Sequence, residues 1–334
     1  MPATLVARPL HRSVDDLVGG RPREPMVAAD SKSGARFERV MIDGERHVLK
    51  YQDVRDDWLM RATGDLGQRF VTLWASGLLD AMPPVIDPVV VGCAVEGHVS
   101  AVLMRDVSAT LLPPGDVQIP LAAQERYLDH MAAVHAAFRG WRDDVGLTPL
   151  ANRYLAFAPA VAQAEAELGS GALVPRLIGQ GWAALPGVAP RLAAVVLPLL
   201  DDLSPLYAAL CDVPHTFVHG DWKAANIGSH ADGRTVLLDW GELAGEASPL
   251  ADLSIYLALN SARLPVTKEA TIACYRAALG RHGVSTRGWW ERALALELLA
   301  GAVQFGWEKA LGGPGPELSW WEARAIEGAR WLPR

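Results

Sequence analysis

The chain has 334 residues, which gives room for two domains or for one large two-lobed unit. Half of it is apolar and 21% is charged, so it buries a sizeable core and is not a disordered chain. The net charge of -7 argues against a general nucleic-acid binder or an anionic-membrane binder, since either needs a basic face.

Three cysteines, Cys93, Cys211 and Cys274, lie far apart without metal-type spacing, which argues against a disulfide scaffold and a cysteine zinc site. The first 25 residues carry several charges and no apolar run, so no signal peptide is expected. The apolar stretch 192–200 is too short to span a bilayer and contains Pro198. The expectation is a soluble, cytoplasmic protein with no membrane and no nucleic-acid partner. Only five lysines occur (Lys32, Lys50, Lys223, Lys268 and Lys309), so a lysine in a chemically demanding place stands out.

In chain order, residues 36–42 and 45–51 alternate as strands around Asp43-Gly44, a strong hairpin turn. Residues 58–79 carry apolar positions at helical spacing, with Gly64 and Gly67 weakening the first half. Pro83-Pro84 stops that helix, and residues 85–95 and 99–104 form a second strand pair around residues 96–98. A Pro- and Gly-rich connector covers 105–116. From Pro120 the pattern turns helical, beginning with 121–138. One short β-rich island, 216–240, interrupts it; helices then resume at 267–281, near 289–309 and near 318–331. Strands in front and helices behind make an α+β chain, with a front lobe 1–105 and a helical lobe 106–334.

The island carries the chemistry. It reads His219-Gly220-Asp221-Trp222-Lys223-Ala224-Ala225-Asn226, followed by Leu237-Leu238-Asp239-Trp240-Gly241. Asn226 and Asp239 lie equally far from the Asp232-Gly233 turn. Pairing 227–230 with 235–238 would set them side by side at the open end. A carboxylate and an amide oxygen converging there suit Mg²⁺, which prefers hard oxygens and also takes phosphate. Asp221 faces the same spot from the feeding loop. Phosphoryl transfer needs this combination: a cation on the phosphates, an in-line acceptor, and a carboxylate to take the acceptor's proton. Lys223, two residues on, can reach the transferring phosphate or form a salt bridge within the loop.

The motif His219-x-Asp221-x-Lys223-x-x-Asn226 with Asp239-Trp240 resembles the catalytic and metal loops of aminoglycoside phosphotransferases and choline-kinase-like enzymes. The resemblance implies a protein-kinase-like fold, with a small antiparallel-sheet lobe and a larger helical lobe. It implies ATP and Mg²⁺ as cofactors, Asp221 as the base, Asn226 and Asp239 as metal ligands, and His219 as a brace for the loop. Asp252 would be the structural aspartate that follows the metal loop. Lys50, ending a front strand, takes the place of the lysine that holds the α- and β-phosphates. Ser33 and Gly34, within Ser31-Lys32-Ser33-Gly34, would cover the phosphates, and Met104-Arg105-Asp106 would receive adenine through main-chain groups. The family pairs its strand lysine with a helix glutamate, but no Glu lies between Glu45 and Glu96. Asp65 is the best substitute, although a helix-surface charge is the favoured reading of it.

The expected reaction is transfer of the ATP γ-phosphate to a hydroxyl of an amino sugar, aminoglycoside, sugar or amino alcohol. The alternative is a lapsed kinase-like module that binds nucleotide or metabolite. An acidic, Trp-rich acceptor pocket built from Glu242, Glu246, Glu269, Glu291 or Glu308 would suit a cationic small molecule and would serve a neutral sugar equally. Trp289-Trp290, Trp307 and Trp320-Trp321 read first as inter-helix packing, and His135 as a satisfied core histidine.

Overall fold

The computed structural model describes residues 5–27 and 32–333. The front of the chain runs α1 (Val14–Val18), β1 (Arg23–Met26), β2 (Arg36–Ile42), β3 (Glu45–Asp53), α2 (Trp58–Thr63), α3 (Arg69–Ala75), β4 (Ile86–Asp87), β5 (Val90–Glu96) and β6 (Val99–Arg105). Five strands form an antiparallel sheet in the order β1-β2-β3-β6-β5. Asp43 and Gly44 both take positive φ, 51° and 83°, the geometry that a tight two-residue hairpin needs. That turn sets Phe37 opposite Lys50, and Lys50 in turn opposite Val102 of β6, so Lys50 stands mid-sheet.

The single helix expected over 58–79 is broken. Gly64 turns left-handed at φ 66° and closes α2 by donating its N–H to Arg61 and Met60 carbonyls, as a helix C-cap glycine does. Asp65 Oδ1 then accepts from Arg69 N at 2.8 Å and starts α3. A second departure concerns 85–95. Val89 adopts φ 56° after Pro88, and the chain splits there into β4 and β5.

The helical part continues with α4 (Leu121–Ala137), α5 (Leu150–Leu155), α6 (Pro159–Glu167), α7 (Leu173–Val188), α8 (Pro190–Asp201) and α9 (Ser204–Cys211). It then carries β7 (Thr216–Val218), β8 (Ile227–Ser229), β9 (Thr235–Leu237) and β10 (Gly245–Ala247). The last four helices are α10 (Leu250–Leu259), α11 (Lys268–Arg281), α12 (Trp290–Leu311) and α13 (Pro316–Ala329). No single helix among the described residues is long and apolar enough to cross a membrane.

Helix α12 is buried on nearly every face and anchors this half, with Trp290, Trp307 and Trp321 all inside the core. The tryptophans pack helices together, as expected. Strand β4 leaves the front sheet and pairs in parallel with β9, giving a small sheet β4-β9-β8. The front lobe is thereby stitched by main-chain bonds to the hairpin that carries Asp239.

Candidate active site

The hairpin closes one residue out of the expected register. Ile227 faces Leu237 and Ser229 faces Thr235, and Leu238 N donates to Asn226 O at 2.9 Å. The loop has three residues, because Gly233 at φ 91° takes the left-handed position that makes a three-residue turn the stable closure. Asp239 therefore lies one step beyond Asn226's direct partner. It takes φ 61°, a region that costs a non-glycine residue energy and is held only where surroundings enforce it.

Asp221 is buried, and its Oδ2 accepts from Lys223 Nζ at 2.6 Å and from Asn226 Nδ2 at 2.8 Å. Lys223 thus forms the loop salt bridge. Asn226 Nδ2 also donates to Asp221 O at 3.1 Å. Because its amide nitrogen is committed twice, the amide oxygen is the end left for a cation.

The loop carrying Asp221 is held from below. His219 Nδ1 accepts from Asp221 N at 3.1 Å, while its Nε2 lies 2.9 Å from Leu238 O. That pair of contacts requires a neutral ring with its proton on Nε2. Burial, which lowers the His219 pKa, favours the same state. Asp252, fully buried, accepts from His219 N and Gly220 N at 2.9 and 2.7 Å. His135 bonds Asp252 through Nε2 and Tyr275 OH through Nδ1, so it is a satisfied core histidine. Asn260, which sequence reading missed, accepts from Ala224 N at 2.7 Å and donates to Trp222 O at 3.0 Å. No local pattern marks it, since it acts across α10.

Lys50 Nζ reaches from the front sheet to Asp239 Oδ1 at 3.0 Å and Glu242 Oε1 at 2.8 Å. Neither reading of Asp65 holds. It is buried, not a surface charge, and its carboxylate caps α3 instead of meeting Lys50. Lys50, Val102, Met104 and Val90 line a narrow cleft with Phe70, Asp239 and Trp240. Asp106 N donates to Arg46 O at 2.9 Å, and the Asp106 carboxylate caps the turn at Ser108. The Asp106 N–H is thus already spent. Ser33 O accepts from Trp58 N, and Lys32 O from Trp58 Nε1. Gly34, at φ 112°, lies against the Asp56 main chain, so 32–34 is moored to the start of α2. Ser31 lies outside the described residues.

Charge in the cleft is sorted by these neighbours. Burial would raise Asp239, but Lys50 and Lys223 override it and hold its pKa at about 2. Burial lifts Glu242 to about 7 despite Lys50, with Asp239 and Asp57 adding to the rise. An ionised carboxylate and an amide oxygen whose nitrogen is already engaged fit a hard divalent cation that completes its shell with phosphate oxygens and water.

The five acidic candidates for the acceptor pocket are otherwise engaged. Glu242 holds Lys50, and Glu246 holds Arg142 and His215. Glu269 accepts from Trp320 Nε1, Glu291 pairs with Arg276, and Glu308 with Lys309.

A family profile described as "Phosphotransferase enzyme family" matches residues 45–293. The chain belongs to that family, and its two-lobed α+β architecture is the protein-kinase-like fold. A solved structure of a microcompartment-associated aminopropanol kinase is similar at 14% identity and TM-score 0.52, over 96% of this chain and 92% of that one. LicA in complex with AMP matches at 13% identity and TM-score 0.50, over 92% of each chain. The macrolide 2'-phosphotransferase MphH from Brachybacterium faecium matches at 17% identity and TM-score 0.48, over 96% of this chain and 98% of that one. Comparison with curated proteins yields no match.

Proposed function

We propose that this phosphotransferase is an ATP- and Mg²⁺-dependent small-molecule kinase that transfers the γ-phosphoryl group to a hydroxyl. One observation carries the reading: Asp221 has Oδ2 fixed by Lys223 and Asn226, beside the Lys50–Asp239 pair. Among the described residues no donor bonds its other oxygen. Asp221 Oδ1 is the atom that accepts the acceptor hydroxyl's proton as the oxygen attacks phosphorus. Lys223 offsets charge beside it. Lys50 holds the α- and β-phosphates, Met104 flanks the base, and the Asp106, Ser33 and Gly34 segments frame the cleft. Asn226 and Asp239 would hold Mg²⁺, whose chemistry is to neutralise phosphate charge and fix the in-line geometry.

The acceptor is a small molecule with a free hydroxyl. An amino alcohol, a sugar or an amino sugar meets that requirement, and the engaged glutamates give no reason to demand a cationic one. The lapsed-module alternative rested on the missing helix glutamate, and Lys50 has Glu242 in its place. The function is tested by incubating the protein with ATP, Mg²⁺ and a panel of amino alcohols, sugars, amino sugars and aminoglycosides, and reading products by mass spectrometry. A phosphorylated acceptor supports the reading, and nucleotide turnover with no phosphorylated product in any member contradicts it.

A further inference from the structure

We infer that Glu242, contributed by the helical lobe, is the positioning residue for Lys50, in place of an acid on the helix after β3. The inference rests on the nucleotide-binding reading of the cleft.

Lys50 is buried mid-sheet in the front lobe and needs a buried carboxylate to hold its ammonium in one place. The acids that follow β3 do not supply it. Asp57 caps α2, with Oδ1 accepting from Leu59 N and Met60 N. Asp65 caps α3. Glu242 Oε1 stands 2.8 Å from Lys50 Nζ, and both side chains are only 7% exposed.

Glu242 is itself fixed by the helical lobe. Thr148 Oγ1 donates to Glu242 O at 3.2 Å, and Thr148 N donates to Ala244 O at 3.0 Å. The fully buried Arg153 donates through Nε to Leu243 O at 2.9 Å. At Gly241 a Cβ would lie 2.6 Å from Phe70 Cβ, so α3 packs directly on the chain beside Glu242. An acid on a front-lobe helix could swing away with that helix and leave the lysine in its own lobe. Here the lysine and its partner lie in different lobes. Docking of the front sheet on the helical part therefore completes the Lys50–Glu242 pair, with Lys50 also held against Asp239 Oδ1 at 3.0 Å.

The test is titration of Mg·ADP into the full-length protein by calorimetry, for wild type, Glu242→Gln, Asp57→Asn, Lys50→Ala and the Lys50→Ala/Glu242→Gln double variant. Thermal melts confirm that each is folded at the titration temperature. Glu242→Gln is expected to weaken ADP about tenfold, as losing the partner of a buried phosphate-binding lysine should. Asp57→Asn is expected to stay within about twofold of wild type, and the double variant to bind like Lys50→Ala alone. Wild-type affinity in Glu242→Gln overturns the inference. So does an equal loss in Asp57→Asn, or a full additional loss on the Lys50→Ala background. Wild type binding no ADP at all overturns the nucleotide reading itself.

Discussion

Asp252 and Gly220 are joined by a hydrogen bond of 2.7 Å from the Gly220 amide to one carboxylate oxygen, while the other oxygen serves His219 N and His135. This buried carboxylate is what sets the loop carrying Asp221. Burial alone would raise its pKa, but the bond to His135 and the Gly220 amide help hold it below the usual carboxylate range. A depressed folded pKa contributes stability above the unfolded value, and that stability is lost as pH falls through the folded one. Asp252→Ala strands two amides and a histidine in the core and should cost about 3 kcal/mol. Chemical denaturation at neutral pH reads that loss, and an unchanged midpoint and slope would contradict it.

Glu297 presents the opposite sign. It is buried on α12, and its Oε2 accepts from Tyr154 OH at 2.6 Å. Burial lifts its pKa to about 8. The folded protein keeps a proton that the unfolded chain releases, so stability falls as pH rises from the ordinary glutamate range toward that value. Glu297→Gln has no proton to lose. Its melting temperature relative to wild type should rise between about pH 5 and about pH 8. A difference independent of pH would reject this account.

Gly220 adopts φ 82°, and a Cβ there would run into the Leu243 carbonyl oxygen. Backbone cannot yield as a side-chain tip can. Gly220→Ala should therefore destabilise the protein by about 3 kcal/mol through strain and overpacking. Gly233 is the contrast. It also has positive φ, 91°, but nothing lies near its missing Cβ. Gly233→Ala should cost about 1 kcal/mol. Equal losses at the two sites, read by denaturant melts, would show that the close approach to Leu243 carries no energy.

Much of the candidate site's geometry was legible because its residues are local in sequence. Asp221, Asn226 and Asp239 fall on one loop and one hairpin, so spacing alone brings them near each other. Lys50 was legible as the lysine of a hairpin strand. The partner of Lys50 was not. Glu242 reads as one more acidic residue after the hairpin, and only the docking of two lobes 192 residues apart in sequence puts it at the lysine. Asn260 was invisible for the same reason. The broken helix at 58–79 reflects a competition: apolar spacing favours one helix, but left-handed Gly64 and the Asp65 cap end one and start another. The one-residue slip of the Asp239 hairpin came from reading Asp232-Gly233 as a two-residue turn, where Gly233 instead closes a three-residue loop.

Asp239 is expected to carry the divalent cation together with Asn226, since it is held ionised by Lys50 and Lys223. Asp239→Ala should lose the Mg²⁺-dependent part of ADP affinity, about tenfold or more. Titration of ADP with and without Mg²⁺ reads this directly, and a preserved Mg²⁺ dependence in the variant would remove Asp239 from the ligand set.

The proposed role of Asp221 is to take the proton of an attacking hydroxyl. Its most direct measurement is acceptor-stimulated ADP release, followed by a coupled assay, in wild type and Asp221→Ala with the best acceptor of the panel. The expected result is a fall in kcat of about a hundredfold or more with ADP affinity retained. An Asp221→Ala enzyme that turns over at the wild-type rate would contradict it.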